Sequence, residues 1–403
     1  MSYGERKAFP TDFPEGLKPR LRLFFSVDIV GSTPLKQSLQ PWRPTILNFY
    51  RDFDHTVHSA FSRINGNSNN GIPTPEFWKS NGDELLYTCQ LERLDQAHET
   101  INTWLGVLHQ YRASMASHPE RLDVKSTAWV GLFPVPNAEV FFRRDRARFA
   151  SDLLDDPQLL QAELRDEWYA DRGRGDITRD FVGPSIDTGF RLTSWATQRR
   201  FVISVDLAFL LTSSCSEVEE PLPVHYSGRQ KLKGVIDDEP YPVLWIPVGG
   251  RNKPADAAIG RDLAGVEAVR ASCEAVIEQH YRFITPLFLS DADAQDFDWS
   301  PPYIINEIRR LWTEELRRKA DADRDADSTM AYISGRSRSG GVGARARRRR
   351  LFPETTSLAL RPIDGFDAGI GAERGGNVGQ VARIVDVDVE IDVEKVGLAM
   401  VHP

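Results

Sequence analysis

The stretch Phe24-Phe25-Ser26-Val27-Asp28-Ile29-Val30-Gly31-Ser32-Thr33 decides the fold, because it joins an apolar strand to the start of a helix. The strand ends in the carboxylate of Asp28, and a carboxylate beside a buried strand costs free energy unless it has a partner. Gly31-Ser32-Thr33 then opens a helix, where free backbone N–H groups favour a phosphate. The stretch therefore predicts a charged ligand at the end of a strand.

A second acidic turn follows along the chain at Asn81-Gly82-Asp83-Glu84. Asn-Gly is a strong signal for a tight hairpin turn. If the two strands are neighbours, Asp28 and Asp83 meet at one edge of the sheet, where they repel each other unless a cation lies between them. Mg²⁺ or Mn²⁺ held by few carboxylates and a triphosphate is a standard arrangement. Alone, Asp28 is equally well a cap or turn residue, and Asp83 is more simply explained by ordinary turn chemistry; together they predict a metal–phosphate site.

Composition excludes several classes of protein. The chain has 403 residues and a formal net charge of −8, so it lacks the basic surplus typical of nucleic-acid binding. No run of about 18 or more apolar residues occurs, and we expect no membrane insertion. The polar start of the chain predicts no secretory signal. The 3 cysteines are isolated, which predicts a cytoplasmic protein without a disulfide scaffold.

Alternating strand and helix patterns predict an α+β fold and four regions along the chain. Residues 1–20 are a polar leader, and 21–248 are the main domain, with a charged insertion at about 134–176 that is typical of a surface element or a dimer arm. Residues 259–320 carry two helical patterns and predict a small helical appendage. Residues 321–403 are of low complexity, include the run Arg347–Arg350, and are expected to be largely disordered.

The two acidic motifs resemble those of class III nucleotidyl cyclases. The stretch around Asp28 is similar to the family's first metal motif, and Gly82-Asp83-Glu84 is similar to its second. The resemblance covers about residues 21–248. It implies a ferredoxin-like βαββαβ core that works as a head-to-tail homodimer. It also implies the reaction, in which the ribose 3′-OH attacks the α-phosphate and expels pyrophosphate.

The resemblance also implies roles for individual residues. It places two divalent cations, Mn²⁺ or Mg²⁺, at Asp28, Ile29 and Asp83, with the triphosphate near Gly31, Ser32 and Thr33. The positions that it assigns to base contact, to the transition state and to the polyphosphate are Lys79 with Asp180, Arg191, and Lys233. Asp187 stands where the family has Asn; an ionised Asp can only accept a hydrogen bond, so it is equally a cap of the following helix.

The identity of the base stays open from the polar residues alone. Lys79 donates and Asp180 accepts, which suits adenine, cytosine and uracil, and does not exclude guanine. Tyr50 is either a core residue or a phenol that leaves room only for a pyrimidine. The chain as a whole resembles the pyrimidine cyclases of bacterial Pycsar anti-phage systems. That resemblance implies UTP as substrate, cyclic UMP as product, a sensor-like C-terminal appendage, and a separate effector that binds the cyclic nucleotide.

Three alternatives remain at this stage. The chain could be a cytidylate cyclase or an ordinary adenylyl cyclase, which the Lys79–Asp180 pair suits equally. It could be an inactive cyclase-like domain that senses a nucleotide, although Asp28, Asp83 and Arg191 argue against this. A diguanylate cyclase would need a Gly-Gly-(Asp/Glu)-(Glu/Asp)-Phe turn, and the turn around Asp83 lacks its first Gly and its Phe.

Overall fold

The structure is a computed structural model, and it describes residues 13–38, 41–67, 71–115, 122–143, 156–172, 175–213, 221–249, 265–280 and 302–338. The strands are β1 Arg20–Val30, β2 Glu76–Asn81, β3 Glu84–Leu91, β4 Asp123–Phe133, β5 Ala138–Arg143, β6 Ile177–Val182, β7 Arg200–Ile203, β8 His225–Lys231 and β9 Pro240–Pro247. The helices are α1 Ser32–Gln37, α2 Trp42–Asn67, α3 Leu94–Met115, α4 Pro157–Ala170, α5 Pro184–Leu192, α6 Val205–Ser213, α7 Val266–Gln279 and α8 Pro302–Arg338.

The main sheet has the strand order β2-β3-β1-β4-β7-β9-β8. Strand β1 pairs antiparallel with both β3 and β4, and β2 pairs antiparallel with β3. Together with the crossing helices α2 and α3, these four strands form the ferredoxin-like βαββαβ arrangement, with β1 near the centre. The predictions of an α+β fold and of this core are confirmed.

The two faces of β1 bury different clusters, because neighbouring side chains on a strand point to opposite faces. On one face Phe25 stacks on Trp104 of α3, with ring centroids 4.1 Å apart, and Phe53 of α2 lies against the same indole. On the other face Phe24 stacks on Trp129 at 5.6 Å and meets Phe181 of β6 at 5.1 Å. The second face is the one that carries α5 and the two-stranded β5–β6 sheet.

The predicted insertion forms part of the framework of the site. Strand β5 lies inside it and pairs antiparallel with β6, in a register that sets Val140 opposite Asp180. Helix α4 packs on β5, and the Gln161 side chain bonds both the N–H and the carbonyl of Phe141, at 2.8 and 2.9 Å. The insertion therefore holds the strand that carries a predicted base-contacting residue.

The two predicted C-terminal helices pack on the main domain at different places. Helix α7 lies against α6, and its buried residues, Val269, Cys273, Val276 and Ile277, belong to the main core. Helix α8 buries Ile304 and Ile308 against the start of the described chain, with Trp312 edge-on to Phe13 at 5.7 Å.

Helix α8 also joins the insertion. Arg165 of α4 makes a two-pronged ion pair with Glu315, at 2.6 and 3.0 Å. The helix continues to Arg338, so the predicted boundary at residue 320 falls inside a helix. Residues 250–264, the Arg347–Arg350 run and the rest of 339–403 lie outside the described residues.

Candidate active site

The end of strand β1 pairs with its two neighbouring strands over different lengths. Its ladder with β3 ends at the pair Asp28–Glu84, and its ladder with β4 continues through Ile29 to Val30. Gly31 then turns the chain into α1 with φ of 90°, a left-handed conformation that glycine adopts without strain. Asp28 is thus held at the edge of a rigid ladder, and Ile29, whose carbonyl is the predicted metal contact, lies one residue beyond the β3 pairing.

Asp83 lies in the β2–β3 turn, where α1 holds it. The buried Ser32 hydroxyl and the Lys36 ammonium both donate to its carboxylate, the latter at 2.9 Å. Burial raises the pKa of Asp83, but these two hydrogen bonds outweigh it and leave the pKa below its ordinary value. The predicted phosphate residue Ser32 is therefore bonded to Asp83, while Gly31 and Thr33 beside it are exposed.

Asp28 has the opposite electrostatic balance. Burial raises its pKa and the charge of Asp83 raises it further, which outweighs the ion pair with Lys125 at 3.1 Å. Lys125 stands directly opposite Asp28 on β4. Asp28 pairs with Glu84, the residue after Asp83, so the structure sets both predicted carboxylates at the same end of β1. Burial outweighs the Lys125 ion pair and disfavours the ionised form of Asp28.

Glu84 adds a third carboxylate that the sequence argument missed. It faces Asp28 across the β1–β3 ladder and accepts a hydrogen bond from the Ser26 hydroxyl. Burial raises the pKa of Glu84, and the charge of Asp28 adds to the rise. Its position after Asp83 in a hairpin was the available signal, since cross-strand neighbours follow from the register.

The acidic edge fits hard divalent cations. Carboxylate and carbonyl oxygens are the ligands that Mg²⁺ takes, commonly from one or two carboxylates plus substrate phosphates. Asp28, Asp83 and the Ile29 carbonyl supply such a set at one end of β1, and burial there raises the pKa of Asp28. Within the described ranges, no group of three or more His, Cys, Asp or Glu residues is arranged to hold a metal alone. The donors present therefore suit metal that arrives with a polyphosphate.

Tyr50 reaches the same turn from α2. Its hydroxyl donates to the carbonyl of Gly82, the residue before Asp83, and its ring packs partly buried beside Phe49. This contact ties α2 to the acidic turn. Whether the ring also limits the size of the base stays a prediction.

Lys79 and Asp180 form the second centre. The Lys79 ammonium bonds both oxygens of the Asp180 carboxylate, at 2.8 and 3.1 Å, and both side chains are about one third exposed. They lie on β2 and β6, which belong to different sheets. The structure thus brings together two residues 101 positions apart, as the resemblance implies.

A buried amide fixes the start of α5. The Asn137 amide donates to the Leu132 carbonyl at 3.0 Å and to the Ser185 hydroxyl at 3.1 Å, and its oxygen accepts from the Ser185 N–H at 3.0 Å. Gly183 precedes the helix with φ of 136°, and a Cβ there would lie 2.7 Å from the Asn137 Cα. The hydrogen bonds of Asn137 therefore connect the start of α5 to the end of β4.

Asp187 and Arg191 occupy one exposed face of α5, four residues apart. The residue that caps α5 is Gly183, so the interpretation of Asp187 as a helix cap is wrong. Asp187 lies in the first turn and Arg191 in the last, each at the end whose partial charge it complements. Lys233 is exposed in the turn after β8, and no described contact joins it to the other predicted site residues.

No protein-family model matches this sequence, and no curated protein matches it either. Among solved structures, the chain is similar to the adenylyl cyclase CyaB from P. aeruginosa, with 14% identity over 58% of this chain and 97% of that one and a TM-score of 0.37. It is also similar to the guanylate cyclase domain of RhGC from Catenaria anguillulae in complex with GTP, with 12% identity, 58% and 100% coverage and a TM-score of 0.37. TM-scores this low carry no argument about function, which has to rest on the residues of the site.

Proposed function

We propose that this chain is a class III nucleotidyl cyclase that converts UTP to 3′,5′-cyclic UMP and pyrophosphate. The observation that carries the proposal is the placement of Asp28 and Asp83 at one end of β1, beside the start of α1. The motifs around both residues resemble those of class III cyclases.

The chain's residues divide the work between two centres. Asp28, Asp83 and the Ile29 carbonyl would hold two divalent cations, Mn²⁺ or Mg²⁺, which neutralise the phosphates and activate the ribose 3′-oxygen when bound. The ribose 3′-OH loses its proton to solvent as its oxygen forms a bond to the α-phosphorus, and the bond from that phosphorus to the bridging oxygen breaks and releases pyrophosphate. Lys79 and Asp180 bind the edge of the base.

The site is completed by a second copy of the chain in this proposal. Asp28 and Asp83 of one protomer face Lys79 and Asp180 of its partner in a head-to-tail homodimer. Arg191 would stabilise the transition state and Lys233 the polyphosphate from the same side. Within one chain Asp83 pairs with Lys36 and Lys79 pairs with Asp180, and no described contact joins the two groups, as a site shared between two chains requires.

Uracil fits the base-reading pair through its O4, which accepts from Lys79, and its N3–H, which donates to Asp180. Cytosine in the same orientation sets its amino group against the ammonium of Lys79, which costs about tenfold or more in selectivity. The bulk of Tyr50 would exclude purines. The polar pair alone does not exclude adenine, whose ring nitrogen and amino group also match a donor beside an acceptor, so the alternative of an adenylyl cyclase turns on Tyr50.

The cellular role is part of the proposal and is supported by the resemblance to Pycsar cyclases. Cyclic UMP would be a second messenger in anti-phage defence, made in the cytoplasm and read by a separate effector protein. Cys89 and Cys273 are buried free thiols, as a reducing compartment allows. None of the described helices is both long and apolar enough to cross a membrane.

An inactive nucleotide-sensing domain is the second candidate. Lys36 and Lys125 already pair with the two acidic residues, at 2.9 and 3.1 Å, and could stand in for cations permanently. Metal titration separates the candidates. In a cyclase, Asp28 and Asp83 would bind Mn²⁺ in place of the lysines, and Mn²⁺ would bind more tightly when a nucleoside triphosphate is present. In the inactive domain, the nucleotide would bind equally well with and without metal.

Product identification tests the function. The purified chain is incubated with each nucleoside triphosphate and Mn²⁺, and the products are separated and identified by mass spectrometry. We expect cyclic UMP and pyrophosphate from UTP, and none from the Asp28→Ala variant. Cyclic AMP formed as readily as cyclic UMP would contradict the base assignment, and no product from any of the four would contradict the activity.

A further inference from the structure

Trp78 occupies an irregular position in β2. The β2–β3 ladder pairs Phe77 with Tyr87 and then Lys79 with Leu86, so Trp78 is an extra residue in a β-bulge. In a regular strand, Trp78 and Lys79 would point to opposite faces of the sheet. A bulge re-aims side chains, and here it lets both reach the same carboxylate, that of Asp180.

The Asp180 carboxylate is unevenly occupied. Its Oδ1 accepts from the Trp78 indole N–H at 2.9 Å, the Lys79 ammonium at 2.8 Å and the Phe181 backbone N–H at 2.9 Å. Among the described residues, its Oδ2 accepts from Lys79 alone, at 3.1 Å. Since each carboxylate oxygen offers about two acceptor sites, Oδ1 is saturated and Oδ2 keeps one.

The same indole also holds Lys79. The ammonium lies 4.3 Å from the centre of the Trp78 ring and 5.9 Å from that of Phe190, within the range of cation–π attraction. The hydrogen bonds that the described residues offer the ammonium both go to Asp180, and an ammonium has three donors, so one is available to a ligand. Trp78 therefore fixes both partners so that one donor and one acceptor stand side by side.

We propose that Trp78 is the positioning residue that makes the Lys79–Asp180 pair selective for a base edge with an acceptor next to a ring N–H. Its N–H withholds Oδ1 of Asp180 from the nucleotide and prevents the carboxylate from rotating. This inference rests on the proposed function, because it concerns the base of the nucleotide that the chain would cyclise.

Trp78→Phe removes the N–H and keeps an aromatic ring in the cluster. We expect the ratio of kcat/KM between the preferred and the next-best nucleoside triphosphate to fall about tenfold, since a hydrogen bond to a charged group is lost. The change should lie in KM, with kcat within about threefold, because the acidic residues that would bind metal lie elsewhere. An unchanged ratio overturns the proposal.

Trp129 is the matched control. It belongs to the same buried cluster, and the described part of the chain offers its indole N–H no acceptor. Trp129→Phe should therefore lower stability and leave the base ratio unchanged. If both variants lower the ratio equally, packing and not the hydrogen bond of Trp78 is responsible, and the proposal fails.

A measurement without turnover tests the contact itself. In protein labelled with ¹⁵N at the indoles, the Trp78 resonance is the one missing from Trp78→Phe. Asp180→Ala should shift this resonance and speed its exchange with solvent; no change overturns the proposal. If the wild type cyclises no nucleotide, the proposed function and the selectivity role fail together, while this spectrum separately decides whether Trp78 holds Asp180.

Discussion

The substitution Gly189→Ala probes how closely α5 approaches the sheet. A Cβ built at Gly189 would lie 2.6 Å from Cγ of Trp129, with two further indole atoms closer still. The Trp129 ring is fully buried and stacked on Phe24 at 5.6 Å, so it has no room to withdraw. Helix α5 must shift instead, and with it the exposed face that carries Asp187 and Arg191.

Two opposing terms set the size of the effect. Alanine favours a helix over glycine by about 1 kcal/mol, whereas overpacking a core costs about 1–3 kcal/mol. With three ring atoms in the way, we place the steric cost near the top of that range. The free energy of unfolding should then fall by about 1–2 kcal/mol, and the displaced Arg191 should lower kcat more than it raises KM.

Gly106 provides the control in α3. It is also a helical glycine, it is exposed, and a Cβ there would meet nothing within 4 Å. Gly106→Ala should raise the free energy of unfolding by about 1 kcal/mol and leave activity unchanged. Urea unfolding and cyclase assays of both variants measure the difference.

A double variant sharpens the test. Combining Gly189→Ala with Trp129→Leu makes room for the new methyl group, so the two changes should cost less together than the sum of their separate costs. The reasoning about α5 is refuted if Gly189→Ala stabilises the protein as much as Gly106→Ala does, or if the double variant shows no such coupling.

Four further predictions concern the site and the core. Asp28→Asn and Asp83→Asn should each lower cyclase activity more than tenfold. Asp28→Asn should also raise the unfolding temperature at neutral pH, because the raised pKa of Asp28 means that its charged form is disfavoured in the folded protein. An equal loss of stability in both variants would contradict this. Asp28→Ala and Arg191→Ala, each inactive alone, should regain activity when mixed, and failure after demonstrated subunit exchange would exclude a shared site. Tyr50→Phe should keep the preference for pyrimidines although it loses the bond to the acidic turn, whereas Tyr50→Ala should admit ATP or GTP; a ratio of products unchanged in both would make the ring a core residue. Burial raises the pKa of Asp206 from 3.8 to about 6. The contribution of its protonated form to stability is therefore full below about pH 3.8 and is lost as pH rises through 6, which lowers the free energy of unfolding by about 3 kcal/mol. Urea unfolding measures this change, and Asp206→Asn should abolish it.

The acidic edge could be predicted from sequence because two short motifs specify it. An apolar strand that ends in Asp28 and a hairpin turn that carries Asp83 need only become neighbours, and antiparallel pairing of β1 with β3 makes them so. The two lysines at the site could not be predicted in the same way. Lys125 depends on the register of β4 and Lys36 on the turn at Gly31, which periodicity does not specify.

Irregular features account for the other differences. Trp78 reaches Asp180 only through a bulge, and a bulge breaks the period-two pattern from which strands are predicted. The insertion looked like a surface element because its helix-forming residues hide the short strand β5. Helix α8 extends past 320, where Asp/Ala/Arg composition suggested low complexity, with pairs such as Arg324–Asp321 along its surface.

The packing of α7 bears on how the protein can be divided. Val269, Cys273, Val276 and Ile277 fill the core beside α6, so a fragment that stops at residue 248 would open that core to water. Burial of a large apolar side chain contributes about 1.5–3 kcal/mol, so the contribution of these four residues is comparable with the whole free energy of unfolding of a typical domain. Helix α7 is therefore not a detachable module, and a fragment of this chain that keeps the main core must include it.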